Sequence, residues 1–181
     1  MSLIAGNLAV VQRLLDAEGL SWGVHGGAAA HFYGTRRPLQ DIDILLPPGT
    51  LNQVSMLLQR GQKTVQFDGG RILWRGVVLM DDFTVRQNGV VYPFVLDDVL
   101  IERLQRKPLL GARVLFVPPE DVLVYKLFLN RGPELNKFDA PDAAGIIKRQ
   151  TLDMAYLRQR IERSNTAQTV IPRLAEHGIV L

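Results

Sequence analysis

The chain contains no cysteine. That excludes disulfides, zinc–thiolate sites and a cysteine nucleophile. It has three histidines, His25, His31 and His177, and they lack the spacing of a metal-ligating set. No apolar run approaches the roughly 18 residues of a membrane span, and no basic segment followed by an apolar core marks the N-terminus. A cytoplasmic location is the expectation. Walker A, G-x-G-x-x-G and G-x-S-x-G patterns are missing, so P-loop, dinucleotide-binding and serine-hydrolase chemistry find no support. Charge is nearly balanced: a net +3 is too small a surplus to argue for nucleic-acid binding by itself. No repeat, linker or low-complexity run divides the chain.

What is present is ordinary globular composition, 47% hydrophobic and 22% charged over 181 residues. That suffices for one domain, or a core with a small appendage. The most informative stretch runs from Trp22 to Pro47. A strand over Leu20–His25 leads to the pair Gly26 and Gly27, an Ala-rich helix that Gly34 closes, a basic loop over 35–40, and a second strand bearing Asp41 and Asp43. Strand side chains alternate between faces, so Asp41 and Asp43 share a face about 7 Å apart. Glycines let backbone amides approach a phosphate. Two carboxylates beside such a turn suit a divalent cation holding a phosphate. Arg36 and Arg37 either clamp phosphate oxygens or brace the two aspartates, with a solvated surface role the plainer option for Arg36.

Elsewhere the pattern predicts a helix over 5–18 and a helix from Leu51 to Gly61, opened by a Thr50/Gln53 capping box. Strands are expected over 63–67, 71–74 and 77–86, then 90–95 after the Asn88-Gly89 hairpin signal. A helix over 96–105 and a last strand over 112–117 follow. Pro118-Pro119-Glu120-Asp121 starts a helix that is apolar nearly all round and carries Lys126. A lysine so placed needs a carboxylate or phosphate partner unless it snorkels to solvent. Three further helices are expected over 143–149, 153–163 and 168–177.

The stretch from Gly26 to Asp43 resembles the nucleotidyltransferase superfamily. Within it, Gly26, Gly27, Ala29, Arg37, Asp41, Ile42 and Asp43 resemble the minimal, AbiEii-type nucleotidyltransferases associated with toxin–antitoxin pairs. Glu120, Asp121, Lys126, Arg131, Lys137, Asp139 and Asp142 follow that type's second segment approximately. Leu39 stands where the pattern has Thr or Ser, and Phe138 separates a Lys–Asp pair.

The resemblance implies an α/β (α+β) fold: a mixed sheet flanked by helices in a core over 1–118, with a helical segment over 119–181. It implies transfer of a nucleoside monophosphate from an NTP to an acceptor, which an RNA, a protein or a small molecule could supply. Asp41 and Asp43 would hold Mg²⁺ or Mn²⁺ with a third carboxylate, Asp81 or Asp82, on a neighbouring strand. Gly26, Gly27, Arg37 and Lys126 would bind the nucleotide. The departures at Leu39 and Phe138 motivate an alternative, an inactive nucleotide- or protein-binding module of the same fold that works with a partner protein.

Overall fold

In chain order the elements are α1 (Leu3–Ala17), β1 (Gly23–Val24), α2 (Gly26–Ala30), β2 (Ile42–Leu45), α3 (Leu51–Gly61), β3 (Gln66–Asp68), β4 (Arg71–Trp74), β5 (Val77–Met80), β6 (Val85–Gln87), β7 (Val90–Tyr92), α4 (Asp98–Glu102), β8 (Gln105–Leu109), β9 (Ala112–Phe116), α5 (Pro119–Leu129), α6 (Asp139–Arg149), α7 (Met154–Arg163) and α8 (Ala167–Glu176). They come from a computed structural model that describes residues 3–61, 65–68 and 70–181. The chain divides into two compact units. One comprises residues 1–28, 39–83 and 95–117; the other comprises 29–38, 84–94 and 118–181.

The first unit is built on a seven-stranded mixed sheet, ordered β3-β4-β5-β2-β1-β9-β8. β2 lies between β1, antiparallel to it, and β5, parallel to it. On one face Ile42, Ile44, Ile72, Leu79 and Val77 are fully buried, with Leu8, Val11 and Leu15 of α1 and Val54 and Leu58 of α3 also fully or almost fully buried. Burying this apolar face is what drives the layer to form. The opposite face carries Asp43 and Val78, both half-buried. Asp16 joins α1 to the sheet edge by accepting from the Trp22 indole at 3.0 Å and from Arg106 at 3.0 and 3.1 Å.

The second unit holds the β6–β7 hairpin and helices α5 to α8. The hairpin turns at Asn88 and Gly89, both with positive φ (51° and 76°), as a two-residue turn of this hand requires. Residues 120–128 of α5 are all buried. Phe94, Tyr125 and Phe128 form an aromatic cluster with Tyr92, ring centroids 4.5–5.5 Å apart.

Four local expectations need correction. The strand expected over 77–86 is two strands: β5 ends at Met80, and β6 pairs with β7 in a separate sheet. The helix expected over 96–105 spans only 98–102, because Gln105–Leu109 is paid out into a hairpin with β9 across Leu110 and Gly111, both at positive φ. Gly34 does not close the Ala-rich helix. The chain passes through it in a π-helical turn, His31–Thr35, and stops at Arg36 in the left-handed region (φ 48°). A Cβ on Gly34 would stand 2.4 Å from the Gly145 backbone, so its smallness serves close packing on α6. Finally, Thr50 donates its hydroxyl to the Pro47 carbonyl at 2.7 Å and does not form the expected capping box. The strand expected over 63–67 is seen as Gln66–Asp68; residues 63 and 64 lie outside the described residues.

Candidate active site

Gly26 begins α2 directly after β1 and has φ +59°, a conformation costly for any residue with a side chain. A Cβ built there would stand 2.2 Å from Asp43 Oδ2. The carboxylate of Asp43 therefore occupies the space that the absent side chain leaves open. The backbone reinforces this: the His25 N–H donates to the Asp43 carbonyl at 2.9 Å, continuing the β1–β2 pairing to the glycine turn. Gly27 follows as a half-buried residue of α2. Asp41 immediately precedes β2 and is exposed, and the next residue is fixed by the Ile42 N–H donating to the Gly76 carbonyl at 2.9 Å. The turn amides of Gly26 and Gly27 and the carboxylates of Asp41 and Asp43 thus belong to the same end of the sheet.

The β2–β5 register decides where a third carboxylate would have to be. Asp43 pairs with Val78 and Leu45 with Met80. Val78 is thus the residue beside Asp43 on the neighbouring strand. Asp81 and Asp82 come after the end of β5, three and four positions beyond the level of Asp43, or about 10 Å or more along the strand. The expectation that one of them stands across the ladder from the Asp41/Asp43 pair is corrected by this register. Asp81 has a different job: its Oδ2 accepts the Leu51 N–H at 3.0 Å and so caps the N-terminus of α3. Asp82 is exposed.

Asp41 and Asp43 are hard oxygen donors, and the missing side chain of Gly26 leaves room for the Asp43 carboxylate. That chemistry fits Mg²⁺ or Mn²⁺, ions that bind proteins through one or two carboxylates and complete their shell with water and substrate phosphate. Among the described residues no three His, Asp or Glu side chains stand together as a ready-made metal cluster.

In the second unit, Lys126 sits on the buried helix α5 and is only 3% exposed. Its Nζ lies 2.8 Å from Asp139 and 2.9 Å from Asp142, two carboxylates of α6 that are fully buried. The partner that the sequence required is therefore a pair of carboxylates. Arg131 donates to Asp139 from Nε at 2.8 Å and from its backbone N–H at 3.0 Å. Burial pushes the Asp139 carboxyl up, but the Arg131 and Lys126 bonds outweigh it and hold the group below its ordinary value. Arg37 reaches the same cluster with a two-pronged bond to Asp142, at 3.2 Å from both Nε and Nη2, and its guanidinium lies 5.4 Å from the Phe138 ring centroid. Thr35 adds a hydroxyl bond to Asp142 at 3.1 Å.

The site residues named from sequence thus divide. Gly26, Gly27, Asp41 and Asp43 lie together in the first unit, and Arg37 and Lys126 belong to an ion cluster in the second. The helix expected over 143–149 starts at Asp139, and the spacing of three then puts Asp139 and Asp142 on one helical face. Buried Glu120 and Asp121 were visible in the sequence as first-turn acids and as part of the family resemblance. In the structure Glu120 accepts the Asp153 N–H at 2.7 Å, and Asp121 accepts the Tyr156 hydroxyl at 2.7 Å and pairs with Arg160 at 2.6 Å.

No model of a known family matches the chain, and no curated protein matches it. Solved structures do. The crystal structure of ANT(2'')-Ia in complex with adenylyl-2''-tobramycin superposes with a TM-score of 0.58 at 11% identity, covering 91% of this chain and 98% of that one. The solution structure of the same antibiotic-resistance factor gives 0.56 at 11% identity, covering 96% and 95%. The lincosamide antibiotic adenylyltransferase LnuA, lincomycin-bound, gives 0.51 at 16% identity, covering 78% and 95%. The chain has the nucleotidyltransferase fold, a mixed sheet flanked by helices. Among the described residues no helix is long and apolar enough to cross a membrane.

Proposed function

We propose that the protein is a nucleotidyltransferase that moves a nucleoside monophosphate from an NTP to an acceptor hydroxyl. The observation that carries this reading is the seating of the Asp43 carboxylate against Gly26 at the start of α2, on a fold shared with the lincosamide antibiotic adenylyltransferase LnuA and with ANT(2'')-Ia, solved in complex with adenylyl-2''-tobramycin. Asp41 and Asp43 would hold Mg²⁺ or Mn²⁺, which when bound neutralises triphosphate charge and polarises the α-phosphate. The N–H groups of Gly26 and Gly27 would face phosphate oxygens at the helix start. In the reaction, the acceptor oxygen bonds to the α-phosphorus, the bond from that phosphorus to the bridging oxygen breaks, pyrophosphate leaves, and the hydroxyl proton passes to solvent. The register supports leaving Asp81 and Asp82 out of this set. Lys126 and Arg37 share Asp142, and a direct phosphate contact from Lys126 would require it to leave two buried carboxylates.

Val78 beside Asp43 favours a second reading, a module that binds nucleotide without turnover, because a site with two carboxylates has fewer ligands to hold the metal ions that would neutralise the leaving pyrophosphate. Calorimetry with ATP and Mg²⁺, run beside an assay of pyrophosphate release, separates the two: release supports the enzyme, binding without release the module, and neither leaves both without support.

The finer kinship with AbiEii-type proteins, with a partner protein in a toxin–antitoxin pair, is likewise a proposal. Its support is that Lys126, Asp139 and Asp142, scattered in the sequence pattern, form one cluster. Co-expression with the protein encoded by the adjacent gene, followed by size-exclusion chromatography, tests it.

A further inference from the structure

Beyond Asp43 the sheet presents a continuous row of side chains on one face. Gln66 of β3 pairs with Leu73 of β4, Leu73 with Val78 of β5, and Val78 with Asp43 of β2. Strands about 4.8 Å apart set Leu73 about 10 Å from Asp43, the length of a small ring molecule. Leu73 and Val78 are half-buried, so this floor is apolar and open. It borders a cleft of about 420 Å³ at the β4–β5 turn, lined by Gln66, Leu73, Trp74, Arg75 and the start of β5. That volume falls in the range of small-molecule sites, roughly 300–1,000 Å³.

The charge of the cleft is one-sided. Arg75 lines it from a left-handed turn position (φ 48°), and the turn is pinned by Asn7 donating to the Arg75 carbonyl at 2.9 Å. Among the described residues no Asp or Glu lines it. At the turn end of the cleft a polycation would meet Arg75, whereas a carboxylate or phosphate would gain a charge-assisted bond there.

We propose that this cleft seats the acceptor of the transferred group, and that the acceptor is a small hydroxylated molecule with an apolar ring face and an anionic group. The proposal rests on the nucleotidyltransferase reading, since it assigns the side of Asp43 from which the hydroxyl approaches. Its ring would lie on Leu73 and Val78, its anionic group on Arg75, and its hydroxyl toward Asp43.

Methyl and backbone-amide NMR of the full chain tests it. The probes are 4-hydroxyphenylacetate, 4-hydroxybenzoate and phenyl phosphate, with spermine as the polycation and MgATP added separately. The expected result is saturable movement of the Leu73 and Val78 methyl signals with at least one anionic probe and none with spermine, with the Leu15 methyls of the core still. Arg75→Glu should weaken that probe by about tenfold, the loss of one charge-assisted contact. Equal response to spermine, an unchanged affinity in Arg75→Glu, or stationary Leu73 and Val78 signals with all three anionic probes would overturn the proposal. MgATP that leaves the Gly26 and Gly27 amides unmoved would instead overturn the nucleotide reading, and the two failures are told apart by which signals stay still.

Discussion

A β-carbon at Gly26 would stand 2.2 Å from Oδ2 of Asp43, far inside van der Waals contact. Gly26→Ala therefore faces two penalties at once. The left-handed φ of +59° costs about 1 kcal/mol for a residue with a side chain, and the new methyl must displace the carboxylate. A shift of the order of 1 Å in a reacting group costs about 100-fold in rate. The expected outcome is a modest fall in melting temperature with a loss of transfer of about 100-fold, measured well below the melting point. Full transfer in this variant would mean that Asp43 does no chemistry.

Asp81 caps α3 through the Leu51 N–H, at 3.0 Å. Asp81→Ala should cost about 1 kcal/mol in urea denaturation and leave kcat unchanged. The opposite pattern, intact stability with collapsed transfer, would restore Asp81 as a third carboxylate.

Lys126 neutralises two carboxylates that are fully buried. Lys126→Met should destabilise the protein by about 1–3 kcal/mol, because Asp139 and Asp142 lose the buried cation they share and keep only the half-buried Arg131 and Arg37. Adding Asp142→Asn to that variant should recover part of the loss, and denaturant melts of the two variants give the comparison. A Lys126→Met protein as stable as wild type would mean that the cluster is not formed.

The Asp139 carboxyl is held below its ordinary value against burial, by Arg131 and Lys126. A lowered folded-state pKa means that the unfolded chain takes up a proton first as the pH falls. The stabilisation is therefore complete above the unfolded value of about 3.9 and is lost as the pH falls through the folded value. Wild type should be more stable than Asp139→Asn at neutral pH, and the gap should shrink steadily below about pH 4. A gap independent of pH across that interval would contradict the ion-pair account.

The strand–glycine–helix–strand unit from Trp22 to Leu45 was legible because each part has a local cause: alternation set the face of Asp43, and glycine takes up the positive φ at position 26 most cheaply. The Asn88-Gly89 turn and the helix starting at Pro119 were legible for the same reason. What was not legible depends on partners distant in sequence. Nothing local tells that β5 stops at Met80, since Asp81–Thr84 reads as well as strand, and the stop depends on Asp81 turning to cap α3, thirty positions earlier. Thr50 and Gln53 look like a capping box, yet the cap comes from Asp81. β8 was hidden because Gln105–Leu109 has no alternation and gains its place only by pairing with β9. The partner of Lys126 was predictable in kind, a carboxylate or phosphate, but not in identity, because burial leaves both open until α6 is placed.

The most direct test of the central claim is transfer of label from [α-³²P]ATP with Mg²⁺, using wild type and Asp43→Asn over a panel of hydroxylated acceptors. The site predicts a labelled acceptor with stoichiometric pyrophosphate for wild type. It predicts neither for Asp43→Asn, whose melting temperature should stay close to that of wild type. Equal labelling by a folded Asp43→Asn protein would contradict the assignment of the reaction to this site.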